Sequence, residues 1–150
     1  MLSARLIHLI EAHQEEIATR ILHDIRRHQD LPHIHKLEDL EFRERGRRIL
    51  GHLGKWLGEA REAELDREYE ILGKTRFEEG VPLHESVRAL YVIKDKMIDF
   101  VKEQGVKRDS MELYAEEELE HRVGRFFDEL VIHLVRGYEG AWRRAAHAAA

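Results

Sequence analysis

From Asp109 to the C-terminus the chain contains no proline, and its apolar residues recur at helical spacing throughout. Leu119, Val123, Phe127, Leu130, Leu134 and Ala141 form one stripe, while Phe126, Val131, Val135, Tyr138 and Trp142 occupy adjacent rows. A helix of about 38 residues spans roughly 57 Å at 1.5 Å per residue, more than is needed to cross a domain of this size. One core has use for one such stripe. The second row would be an exposed apolar patch, a feature that marks interaction sites. The pattern predicts a homodimer whose seam draws on Phe126, Phe127, Leu130, Val131, Leu134, Val135, Tyr138 and Trp142, assisted by the helix of residues 83–104. Two copies packed about a twofold would run both C-termini out in one direction.

The rest of the chain also reads as helix. Leu6, Ile10, Ile17, Ile21 and Ile25 predict a first amphipathic helix over residues 3 to about 29, ended by Pro32. A linker with His33 and His35 follows. A second helical region, about 37–57, is marked by Ile49, Leu53, Trp56 and Leu57, with Gly46 as a possible break. Gly51, Gly54 and Gly58 would cost about 1 kcal/mol each inside a helix, so they are expected at a junction or a close backbone approach. A third helix over about 60–79 carries Leu65, Tyr69 and Leu72 and ends at Gly80, suited to a left-handed position. Pro82 opens a fourth helix to about Gln104, stopped by Gly105. Asp109 followed by Glu112 resembles a capping box at the start of the fifth.

At 150 residues the chain fits one domain, residues 1–150. It has no asparagine and two prolines, and Leu, Ala, Glu and Arg dominate, which favours an all-α fold. The absence of cysteine excludes disulfides, thiol nucleophiles and cysteine-ligated metals, and suits a cytoplasmic location. Thirty acidic and 25 basic residues are closely mixed, for a net charge of −5, so no nucleic-acid partner is expected. The one dense basic run, Arg43, Arg45, Arg47 and Arg48, reads as a solvated helix face. No apolar stretch reaches the roughly 20 residues of a membrane span, and no signal-peptide pattern opens the chain.

Catalytic chemistry finds no constellation. Ser86 beside His84 and Glu85 is no triad, because adjacent residues on a helix point in different directions. The eleven histidines include no pair four residues apart, so the simplest helical zinc or di-iron pair is missing. Glu118 and His121 match one half of a carboxylate-bridged di-iron motif without its second half, and His33 with His35 reads as a solvated linker. No metal site and no catalytic residue is expected.

One local motif carries more information. Leu72-Gly73-Lys74-Thr75-Arg76-Phe77-Glu78-Glu79-Gly80-Val81-Pro82 resembles the haem-binding turn of the sensor globins, Ile-Gly-x-x-His-x-x-x-Gly-hydrophobic-Pro, with Arg76 in place of the ligand histidine. A guanidinium stays protonated and has no lone pair for iron. The chain is therefore similar to the non-haem globin-like N-terminal domains of the stressosome co-antagonist (RsbR-type) proteins, over roughly residues 60–145. That resemblance implies a globin-like bundle of five to six helices with a long C-terminal helix. It further implies a non-enzymatic sensory or regulatory domain, the N-terminal part of a longer signalling protein, that relays a signal to a C-terminal output domain or signalling partner.

Within such a fold the former haem cavity offers a place for an apolar, fatty-acid-like ligand. Arg76, Tyr69, Leu72 and Tyr91 are its expected contacts, with Arg76 free to pair a carboxylate. Arg76 bound to Glu79 or solvent is the competing arrangement. Two other readings stay open: a haem-binding gas or redox sensor ligated by His84, His52 or His13, and a ligand-free helical dimerisation scaffold.

Overall fold

The computed structural model describes residues 3–58, 63–104 and 109–149, and these fold as an all-α bundle without a strand. Seven α-helices stand among them: α1 (Ala4–Ala12), α2 (Gln14–Arg27), α3 (Asp39–Leu50), α4 (Leu53–Trp56), α5 (Ala63–Glu78), α6 (Leu83–Gln104) and α7 (Ser110–Ala149). A 3-10 turn, Ile34–Lys36, lies between α2 and α3.

Seven helices replace the expected five to six because two expected helices are broken. The first breaks at His13, which leaves helical geometry at φ −111° and ψ 23°. Its ring donates from Nδ1 to the Leu9 carbonyl at 2.9 Å and lies 5.2 Å from the Phe100 ring of α6. The break frees α1 to pack on α4 while α2 packs on α3 and α6. The second break falls at Gly51 and His52, not at Gly46, which sits buried in an unbroken α3. Trp56 is enclosed beside that junction, its indole N–H bonded to the Arg48 carbonyl at 2.8 Å. Gly54 meets α1, where its amide donates to Glu11 at 3.0 Å.

The expected helix ends hold where they are local in origin. Gly80 takes φ 78°, so α5 stops where a residue without Cβ can turn left-handed. Asp109 Oδ1 accepts the Glu112 amide at 2.9 Å and caps α7, which runs for 40 residues. The expected start of α5 at residue 60 and its successor's stop at Gly105 lie outside the described residues.

The closest helix pair is α5 with α7. Gly73 of α5 and Gly137 of α7 meet there: a Cβ on Gly73 would lie 2.1 Å from the Leu134 carbonyl oxygen, and one on Gly137 would lie 2.0 Å from that of Glu70. Only glycine fits either side. His133, one turn away, bonds Glu70 through Nδ1 at 2.7 Å and faces Asp66 at 3.4 Å, so polar contacts flank the crossing. Among the described residues no helix is long and apolar enough to cross a membrane.

Candidate functional site

Five helices converge on a cavity of about 50 Å³. Ala18, Ile21 and Ile25 of α2, Leu90 and Ile93 of α6, Leu134 of α7 and Ile34 of the 3-10 turn supply apolar wall. Phe42, Arg45 and Gly46 close it from α3. Tyr69, Leu72 and Arg76 face it from α5, since spacings of three and four residues put side chains on one helix face. The space exceeds the roughly 10–15 Å³ that one water needs and falls far short of the ~300–1,000 Å³ that encloses drug-sized ligands.

Three of the four expected ligand contacts thus come together. Tyr91 does not. It follows Leu90 by about 100° around α6, which turns its ring off the cavity and under the Lys94 ammonium, 4.7 Å away.

The Arg76 side chain is 5% exposed and fully engaged. Nη1 donates to Glu79 at 2.7 Å, as one expectation had it, and Nη2 donates to Glu41 of α3 at 3.0 Å. The second partner closes α3 onto α5 and was beyond reach of local spacing. Arg45 departs further from expectation. Instead of sitting wholly on a solvated face it lines the cavity, and its Nε is the one buried side-chain nitrogen or oxygen among the described residues without a hydrogen-bond partner. Its nearest carboxylate, Glu41, is 3.8 Å from Nη2, too far for a hydrogen bond. An orphaned buried donor costs about 1–3 kcal/mol. Burial pushes the Tyr69 phenol well above its usual value against the opposing pull of Arg45, so Tyr69 presents a neutral hydroxyl.

Two polar clamps hold the cavity's rim. Tyr138 of α7 donates to the Val81 carbonyl at 2.9 Å and, its proton so used, accepts from Ser86 at 2.8 Å. The Phe77 ring packs edge-on against Tyr138 at 6.3 Å, so the turn after Arg76 is fastened to α7 from both ends. Glu85, 1% exposed, accepts the amides of His33 at 2.9 Å and Ile34 at 3.2 Å and the His33 ring at 2.5 Å. Burial alone would raise its pKa, but the two backbone amides and the His33 ring outweigh burial and hold it below the usual carboxylate value. Ser86 and Glu85 form no triad and serve instead as ties between distant segments. Their partners lie 52 residues away.

Haem does not fit these residues. Arg76 stands where the sensor-globin pattern has its ligand, and no histidine lines the cavity. His52 and His84 are exposed, and the His13 ring is committed to the Leu9 carbonyl. Nor do the described residues contain a group of three or more His, Asp or Glu able to hold a metal ion. Glu118, the half-motif candidate, instead accepts from the Ser3 hydroxyl at 2.7 Å.

The expected seam on α7 divides in two. Phe126, Phe127, Leu130, Leu134 and Tyr138 are buried in the chain's own core, so they are spent before any partner arrives. Val131 and Val135 are half-buried, and Trp142 is 64% exposed. The broad core, filled from α2, α5 and α6 together, takes in both apolar rows over most of their length.

This chain, with Arg76 on a cavity-facing helix and a long closing helix, has a counterpart among known families. The model of the RsbT co-antagonist protein rsbRD N-terminal domain matches residues 10–150. The chain belongs to this family. It is thus a regulatory signalling domain of the stressosome co-antagonist type, a family regulatory rather than catalytic. No curated protein and no solved structure matches the chain. In this rsbRD N-terminal domain the motif of residues 72–82 builds both one wall of the cavity and the Val81 carbonyl that anchors α7.

Proposed function

We propose that this rsbRD N-terminal domain is a homodimeric sensory module in which the cavity is the input and α7 the output. The observation that carries the reading is the continuity of α7: Leu134 lines the cavity, Tyr138 grips the turn after Arg76, and the same helix continues exposed from Trp142 to Ala149. A change in the cavity that shifts α5 must move Tyr138 or break its bond to Val81. Because the Gly73–Gly137 contact leaves no slack, α5 and α7 move together. The description of the family as an N-terminal domain supports relay to a C-terminal module or signalling partner.

The dimer face in this reading is the half-buried Val131 and Val135 with the exposed Trp142, and Leu83 at the start of α6, 38% exposed, lies beside Trp142. Leu83 and Trp142 border an apolar groove floored by Phe77, Val81 and Tyr138. Dimerisation there would place the seam against the turn that Tyr138 fastens to α7. A fatty-acid chain finds too little room in about 50 Å³, so the input favoured is smaller. Sedimentation at micromolar concentration tests the scheme: the wild type sediments as a dimer and the Val131→Glu, Val135→Glu variant as a folded monomer. A monomeric wild type overturns the dimer and its relay.

A further inference from the structure

We infer that the cavity takes a small carboxylate, of about two or three carbons, anchored by Arg45; this deepens the sensory reading above and rests on it. Four observations converge. Arg45 Nε is buried at the cavity and has no acceptor. The other guanidinium there, Arg76, already donates to Glu79 and Glu41, so it has less to offer a newcomer. Glu41 bonds Arg76 and reaches Arg45 Nη2 only at 3.8 Å, too far for a hydrogen bond, so the Arg45 guanidinium, on a side chain 36% exposed, holds no close carboxylate among the described residues. The buried Tyr69 lines the same cavity and brings a hydroxyl, a second donor, to it.

Size and polarity then select the ligand class. A single water needs about 10–15 Å³, so a cavity of about 50 Å³ takes roughly three to five non-hydrogen atoms, the size of acetate or propionate. Its apolar lining, Ile21, Ile93 and Leu134 among it, accepts a methyl or ethyl tail. An ionised acceptor makes a shorter, stronger bond to a guanidinium N–H than a neutral one does. Propionate meets these demands, and propionamide keeps the shape while losing the charge.

Titration of the whole chain with both probes, followed by the methyl resonances of Ile21 and Ile93, tests the assignment. Propionate is expected to bind about tenfold or more tightly than propionamide, and Arg45→Met to bring propionate down to the propionamide level while xenon uptake by the cavity persists. Equal affinity for the two probes in the wild type, or propionate binding that survives in the variant, overturns Arg45 as anchor and leaves the cavity as a possible apolar input site. A water held on Arg45 Nε that propionate does not displace also overturns it. If xenon fails to enter as well, the cavity half of the proposed function falls too. Should Arg45→Met not fold, the wild-type comparison of the two probes decides alone.

Discussion

Gly137 of α7 lies so close to Gly73 of α5 that a Cβ added to Gly137 would sit 3.0 Å from the Gly73 Cα and 2.0 Å from the Glu70 carbonyl oxygen. Both obstacles are backbone, which cannot rotate aside. Mid-helix glycine costs about 1 kcal/mol against alanine, and at this crossing the close approach of two backbones offsets it.

Gly137→Ala should therefore destabilise the domain by about 3 kcal/mol or more, at the upper end of overpacking effects, despite alanine's better helix propensity. Gly140→Ala, three residues on, meets only the flexible Arg144 side chain at 3.7 Å and should gain up to about 1 kcal/mol. Urea denaturation of both variants gives the contrast. Equal effects at the two sites would show that α5 and α7 are not in backbone contact.

Tyr138→Phe removes the donor to Val81 and the acceptor for Ser86, stranding both in a buried site. The expected loss is about 1–3 kcal/mol. Ser86→Ala on its own should cost less, because the Tyr138–Val81 bond survives. In the double variant the two losses should not add, since they share one hydroxyl.

Glu85 makes stability depend on acid. Its folded pKa lies below its ordinary value near 4.5, so its contribution is complete above that value and is lost as pH falls through the lower folded one. Glu85→Gln should cost about 1.5–3 kcal/mol at pH 7, the range for hydrogen bonds to a charged group, and the gap from wild type should narrow below pH 4.5. Thermal melts between pH 7 and 3 check the sign; a gap that widens in acid would mean that the His33–Ile34 strap is not held by the charged carboxylate.

Added haemin should give no sharp Soret band at one equivalent, because Arg76 blocks the ligand position and no histidine lines the cavity. Arg76→Met should instead show its effect in stability, by about 1–3 kcal/mol, since it strips Glu41 and Glu79 of a shared donor while both keep access to water. A stoichiometric haem complex abolished by one His→Ala substitution would overturn the first expectation.

The amino-acid sequence by itself determined the features set by near neighbours along the chain. Apolar spacing makes α6 and α7 helices, the Asp109 side chain starts α7 by reaching an amide three residues on, and Gly80 ends α5 because it alone accepts φ 78° without strain. Spacings of three and four residues likewise put Tyr69, Leu72 and Arg76 on one face of α5, since helical pitch is a local property. Tertiary structure decided which faces are covered. His13 breaks a helix whose periodicity runs straight through it, Arg45 brings its Nε to the cavity from what reads as a basic surface run, and Tyr91 turns outward from beside Leu90. Of the two apolar rows on α7, most of both entered the core once α2, α5 and α6 surrounded it, leaving Val131 and Val135 half-buried and Trp142 exposed. Periodicity records how apolar a face is, but not how many neighbours will meet it. That number comes from contacts between residues tens of positions apart, such as Arg76 with Glu41 and Tyr138 with Val81, whose energies appear only when the whole bundle has closed.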